Sequence, residues 1–123
     1  VLLAPTKIYV KSVMALLEKV SVRSLAHITG GGFYENIPRA LPEGLGARID
    51  RSSLRIPPIF PLLSKLGGIS EREMFNVYNM GVGMTAIVPV SEADTAVAVL
   101  QSAGQDAYVC GQVVESQVRM ELC

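Results

Sequence analysis

The sequence predicts an α/β (α+β) fold, a mixed β-sheet with helices packed on it. Three observations carry that reading. Apolar residues recur at helical spacing in some stretches and in β-branched runs in others, and the two patterns alternate along the chain. Glycines and capping residues punctuate the changes from one pattern to the other. With 123 residues, of which 50% are hydrophobic, the chain holds enough apolar material for one domain over residues 1–123. Neither an internal repeat nor a low-complexity linker interrupts it.

The elements follow in order. Tyr9, Val13, Leu16, Leu17 and Val20 recur at helical spacing, with Lys7, Lys11, Glu18 and Lys19 elsewhere and Pro5-Thr6 at the entrance, which predicts a helix over about 6–19. Residues 25–29 read as a short buried strand. After Gly30-Gly31-Gly32 a short helix runs to about residue 41; Pro38 is tolerated only near a first turn, which places its regular part late and makes Asn36 the candidate cap. Residues 47–50 form a strand, and 59–66 a helix stopped by Gly67-Gly68. Ser70 with Glu73 is a capping box for a helix from about 71. Residues 83–90 and 107–114 read as strands. Between them Ser91 with Asp94 caps a helix that carries Val97 and Leu100 and closes at Gly104. Residues 118–122 supply the last strand.

Composition narrows the function. Eleven basic and eleven acidic side chains cancel to a formal net charge of +0, without the basic excess of a nucleic-acid-binding module. The longest apolar stretches, such as 86–90, are far short of the roughly 20 residues of a membrane span. Cys110 and Cys123 have neither disulfide-framework nor zinc spacing and read as free thiols of a reducing compartment. Since the first residue is Val and no secretory signal is present, a piece of a longer, cytoplasmic chain is expected.

The stretch "AHITGGGFYEN" is where chemistry concentrates. In an extended segment His27 and Thr29 share a face just before the glycines. Three glycines allow successive backbone N–H groups to converge on an anion at a helix entrance. Asn36 can add a neutral donor and Arg39 a charged one, and at i, i+3 the two share a helical face. The same glycines also suit a tight strand-to-helix turn and nothing more, because the pattern is neither a dinucleotide-binding fingerprint nor a Walker loop. His27, the single histidine, suits a catalytic group, a phosphate ligand or a hydrogen-bonded prop. Asn79, Gly81 and Gly83 form a second glycine-containing turn with the same two readings.

The runs "LLAPTKIYVKSVMALLE", "LAHITGGGFYENIPRALPEGLGARID", "RIPPIFPLL" and "EMFNVYNMGVGM" resemble, in this order and spacing, the C-terminal domain of phosphoribosylformylglycinamidine cyclo-ligase, or aminoimidazole ribonucleotide synthetase. The glycine turn occurs in looser form in formylglycinamide ribonucleotide amidotransferase and selenophosphate synthetase, but "ENIPRALPEGLGA" is similar to the cyclo-ligase. The resemblance implies the C-terminal half of a two-domain ligase of de novo purine biosynthesis. That enzyme closes the imidazole ring of formylglycinamidine ribonucleotide with ATP and releases aminoimidazole ribonucleotide, ADP and phosphate.

It further implies a groove between two domains, with ATP and magnesium held mainly by an N-terminal ATP-binding domain that is absent here. The full enzyme is expected to be a homodimer and the fragment inactive alone, with no metal ligand and no tightly bound cofactor of its own. His27 is then the candidate catalytic residue. Thr29, Gly30, Gly31, Gly32, Asn36 and Arg39 are the candidate substrate-phosphate residues, and Asn79, Gly81 and Gly83 a second turn facing the groove. A free-standing anion-binding or interaction module, docking through an apolar face such as 56–63, is the alternative from another class.

Overall fold

The computed structural model describes residues 2–123. Five helices, α1 (Val10–Lys19), α2 (Gly32–Arg39), α3 (Ile59–Gly67), α4 (Glu71–Val77) and α5 (Ala93–Ser102), alternate with five strands, β1 (Ser24–His27), β2 (Leu45–Ile49), β3 (Met84–Ile87), β4 (Gly111–Glu115) and β5 (Met120–Leu122). The strands form two small sheets: β1 pairs with β3, and β2 lies between β4 and β5. Because β2 is antiparallel to β4 and parallel to β5, the predicted mixed sheet is present. The chain divides into two compact units, one of residues 26–85 and 110–123 and the other of 2–25 and 86–109.

In the first unit, α2 and α4 pack through Phe33 and Phe75, both fully buried, whose rings meet edge to face with centroids 5.2 Å apart. Above this contact the Arg72 guanidinium stacks on the Tyr34 ring, 3.6 Å from its centroid. Gly32 is fixed by this packing. Its φ of +56° suits glycine, and any Cβ would run into the Phe75 carbonyl oxygen. Ser70 and Glu73 form the predicted capping box of α4, and Gly68, at φ +62°, ends α3 as read. In the second unit, Leu16 of α1 and Val20 just past its end bury against Ala96 of α5, with Val22, Val88 and Leu100 around them. Ser12, buried on the same helix, accepts a hydrogen bond from Gln105 Nε2 at 2.6 Å.

Several expectations need correction. The first helix begins at Val10 rather than residue 6, because residues 4–8 are exposed and gain no burial to offset helix nucleation. α2 starts directly at Gly32, with Gly31 as its N-cap; Asn36 is inside the helix and does not cap it. Pro38 sits in the last turn, where its missing N–H removes one rung of the ladder and the helix ends one residue later, at Arg39. Ser91 and Asp94 form no side-chain cap, since a 3-10 turn, Val90–Glu92, leads the chain into α5. The strand expected over 107–114 starts only at Gly111, because the partner strand ends at Ile49, opposite it.

Two outcomes follow. Gly32→Ala should destabilise the fold by about 3 kcal/mol, from overpacking against backbone and a left-handed alanine, read as a lowered denaturant midpoint. Cys123 is exposed, whereas Cys110 is partly buried and its thiol is pushed up by burial. Near pH 8, Cys123 should therefore react with a maleimide well ahead of Cys110, with peptide mass spectrometry giving the two rates.

Candidate functional site: the glycine turn and its neighbour

The site is built where β1 ends. Ala26 and Ile28 are buried while His27 and Thr29 are exposed, so the alternation read from the sequence holds. The Ile28 N–H donates to the Gly83 carbonyl at 2.9 Å, which fastens the strand leading into the first glycine turn to the end of the second. Thr29, Gly30, Gly31 and Gly32 then turn the chain into α2, and the Gly32 N–H donates back to Thr29 O at 2.9 Å.

Asn36 organises this turn from inside. Buried to 7% exposure, its Nδ2 donates to Thr29 O at 3.2 Å, Gly30 O at 3.3 Å and Gly32 O at 2.8 Å. The expected role of Asn36 as a donor to a bound anion is thereby corrected: its two N–H bonds are committed to three backbone carbonyls. That commitment has a geometric consequence. A trans peptide places each carbonyl opposite the following N–H, so drawing the Thr29 and Gly30 oxygens inward turns the Gly30 and Gly31 amides outward. Among the described residues neither amide has a hydrogen-bond partner.

The three glycines differ in what demands them. Gly32 is required by the approach of α4. Gly31 has φ +97°, and a Cβ there would lie 2.6 Å from Glu35 Oε2. At Gly30 a Cβ would meet nothing within 4 Å, so the fold gives no steric reason for glycine at that position. Glu35 thus stands over Gly31, and Arg39 pairs with it at 3.3 Å. Arg39, read as a donor toward the turn, is engaged by this i, i+4 carboxylate instead.

In the second turn Asn79 Oδ1 accepts from the Gly81 N–H at 2.9 Å, and Asn79 O accepts from the Val82 N–H at 2.9 Å. Met80 between them is held at φ +52° with its side chain buried, a strained conformation for a residue other than glycine. At Gly81, with φ +90°, a Cβ would collide with Pro57. The Ile28–Gly83 hydrogen bond thus joins the strand end that carries His27 and Thr29 to the end of the second turn, and Arg39 stays paired with Glu35 on α2.

Two residues that shape the site escaped the sequence reading. Glu35 was legible in its i, i+4 spacing to Arg39. Arg119 was not. From the far end of the chain its guanidinium donates to Pro42 O at 2.6 Å and to Pro38 O and Leu41 O at 2.8 Å each, satisfying carbonyls at the C-terminal end of α2.

A glycine turn that leads from β1 into a short helix, a second asparagine-glycine turn tied to it through Ile28 and Gly83, and a small mixed sheet define an α+β domain. Over residues 1–122 the chain belongs to the family described as AIR synthase related protein, C-terminal domain. It is 51% identical over 116 residues to phosphoribosylformylglycinamidine cyclo-ligase of Shouchella clausii, covering 94% of this chain and 34% of that protein. To the enzyme of the same name in Acetivibrio thermocellus it is 46% identical over 122 residues, covering 99% of this chain and 36% of that one. The crystal structure of E. coli HypE superposes on 94% of this chain with a TM-score of 0.74 at 26% identity, covering 35% of HypE. The chain spans about a third of the length of these relatives.

Asn36→Asp should test the turn's construction. A carboxylate facing three carbonyls replaces two donors with acceptors, at a cost of about 3 kcal/mol at pH 7. Burial and the carbonyls would raise the new group's folded pKa above its unfolded value, so protonation favours the folded state. The deficit should shrink as pH falls toward 4 and grow as pH rises, which denaturant titrations at the two pH values would measure.

Proposed function

We propose that this chain forms one wall of an ATP-dependent cyclo-ligase site that converts formylglycinamidine ribonucleotide to aminoimidazole ribonucleotide, ADP and phosphate in de novo purine biosynthesis, in the cytoplasm. The single observation that carries the reading is the pair of outward Gly30 and Gly31 amides, held there by Asn36. They suit a phosphate, with the ribose 5′-phosphate as the group that sits against the bare backbone. The identity to relatives named phosphoribosylformylglycinamidine cyclo-ligase supports the reaction.

Glu35 has to leave for an anion to approach. An exposed i, i+4 pair contributes only about 0.3–0.5 kcal/mol, against roughly 1.5–3 for each hydrogen bond to a charged group, so the exchange favours the phosphate. Arg39, released from Glu35, then becomes its charged donor. His27 and Thr29, exposed on the adjoining strand face, and Asn79, Gly81 and Gly83 in the second turn line the approach, with His27 placed to hold or move a proton.

ATP and magnesium belong to this reaction, held mainly outside this wall. Among the described residues no group of three or more His, Cys, Asp or Glu side chains is arranged to hold a metal ion. We assign both to the preceding domain of the full-length polypeptide, within a homodimer.

Gly30→Ala in the full-length enzyme is the discriminating test. The position is sterically open and its φ lies outside the left-handed region, so stability should hold within about 0.5 kcal/mol. The methyl group should obstruct the phosphate and raise KM for the ribonucleotide about tenfold, the loss of one charged hydrogen bond, while KM for ATP stays unchanged. An unchanged ribonucleotide KM in a normally folded variant would leave the glycines as a turn.

A further inference from the structure

α1 carries two apolar faces, and the structure covers one of them. On a helical projection Leu16 and Val20 point toward α5, whereas Val10, Met14 and Leu17, at i, i+4 and i+7, form a separate stripe about 100° away. That stripe is open: Val10 is 65% exposed, Met14 55% and Leu17 48%. Leu2, Leu3 and Ile8, in the segment leading into the helix, are also exposed. A stripe of large apolar side chains on one helix face, preceded by further exposed ones in the chain, is the kind of surface that docks against a partner.

We propose that this stripe, with Leu2, Leu3 and Ile8, docks against the preceding domain of the same full-length polypeptide. The proposal rests on the reading of the chain as part of a longer enzyme. Two facts favour this occupant over others. The family is by description a C-terminal domain, and the relatives are about three times the length of the chain. Their remaining two thirds therefore enter ahead of the segment that carries Leu2 and Leu3. The exposed apolar residues of α1 follow that segment closely in the chain, which puts them near the point where a preceding domain joins. The apolar residues Leu62 and Leu66 of α3 are exposed as well, but nothing in the order of the chain brings a particular segment to them.

The test uses the full-length protein. In a background carrying Cys110→Ser and Cys123→Ser, single cysteines replace Met14, Leu17 or, as a control on the polar side of the same helix, Lys19, and maleimide labelling rates are compared. The two stripe cysteines should label at least tenfold more slowly than the control, at rates independent of protein concentration. Without any substitution, Met14 should resist hydrogen peroxide to the degree shown by Met74, which is buried in the fold itself. Stripe cysteines labelling as fast as the control, or free oxidation of Met14, would show the face open to solvent and overturn the proposal. Protection that disappears on dilution would overturn it equally, in favour of a second copy of the chain. Neither readout involves turnover, so the absence of cyclo-ligase activity and the absence of docking are separate results.

Discussion

Backbone carbonyls at both ends of α2 need donors, and side chains supply them. Asn36 takes three carbonyls around the helix entrance, and Arg119 takes three around its exit. A helix of eight residues has little ladder of its own, so these bonds and the Phe33–Phe75 contact decide where it sits. The site depends on this constraint. The direction of the outward amides is the reverse side of the carbonyls that Asn36 gathers inward, so one buried side chain sets both the stability of the turn and the direction of its amides. Under the proposed function such a turn is preorganised, with its donors aimed before a ligand arrives.

The glycines divide the labour. Close approach of α4 claims Gly32, and left-handed backbone claims Gly31. Only Gly30 is spare, so there alone the absence of a side chain is left for a ligand to explain. The second turn is costed differently. Met80 accepts a left-handed backbone, a strain of order 1–3 kcal/mol, to bury its side chain while Asn79 closes the turn through Gly81. Strain of this kind persists only where the surroundings over-determine it, and here the Ile28–Gly83 hydrogen bond ties that turn to the strand that feeds the first.

Local chemistry was legible in the sequence and long-range satisfaction was not. The Ser70–Glu73 box, the Gly68 stop and the burial alternation around His27 depend on neighbours in sequence, and each is present. Asn36 was misread because asparagine before a proline resembles a cap, and its true partners lie upstream, in a turn whose carbonyl directions no pattern announces. The late start of β4 follows from its register with β2, which tertiary pairing sets. Pro38 inside α2 shows the same limit. Propensity places it at a first turn, whereas the Arg119 guanidinium, reaching back from the bend just before β5, holds the Pro38 carbonyl in a last one.

Charge explains why one wall is insufficient for the chemistry proposed. The chain has a formal net charge of +0, so it offers little long-range attraction to a ribonucleotide or to a triphosphate. What it offers is short-ranged: outward amides, a helix entrance worth about 0.3–2 kcal/mol to an anion, and an arginine currently paired with Glu35. These suffice to position a monophosphate once it is already close. Phosphoryl transfer asks for more, because charge spread over the transferred group has to be neutralised while attacking and leaving oxygens are held in line. No cluster of carboxylates among the described residues is arranged to hold the metal for that task. Under the proposed function the labour divides accordingly: this domain would hold the substrate's anionic end, and neutralisation of the triphosphate would fall mainly to the preceding domain of the full-length enzyme.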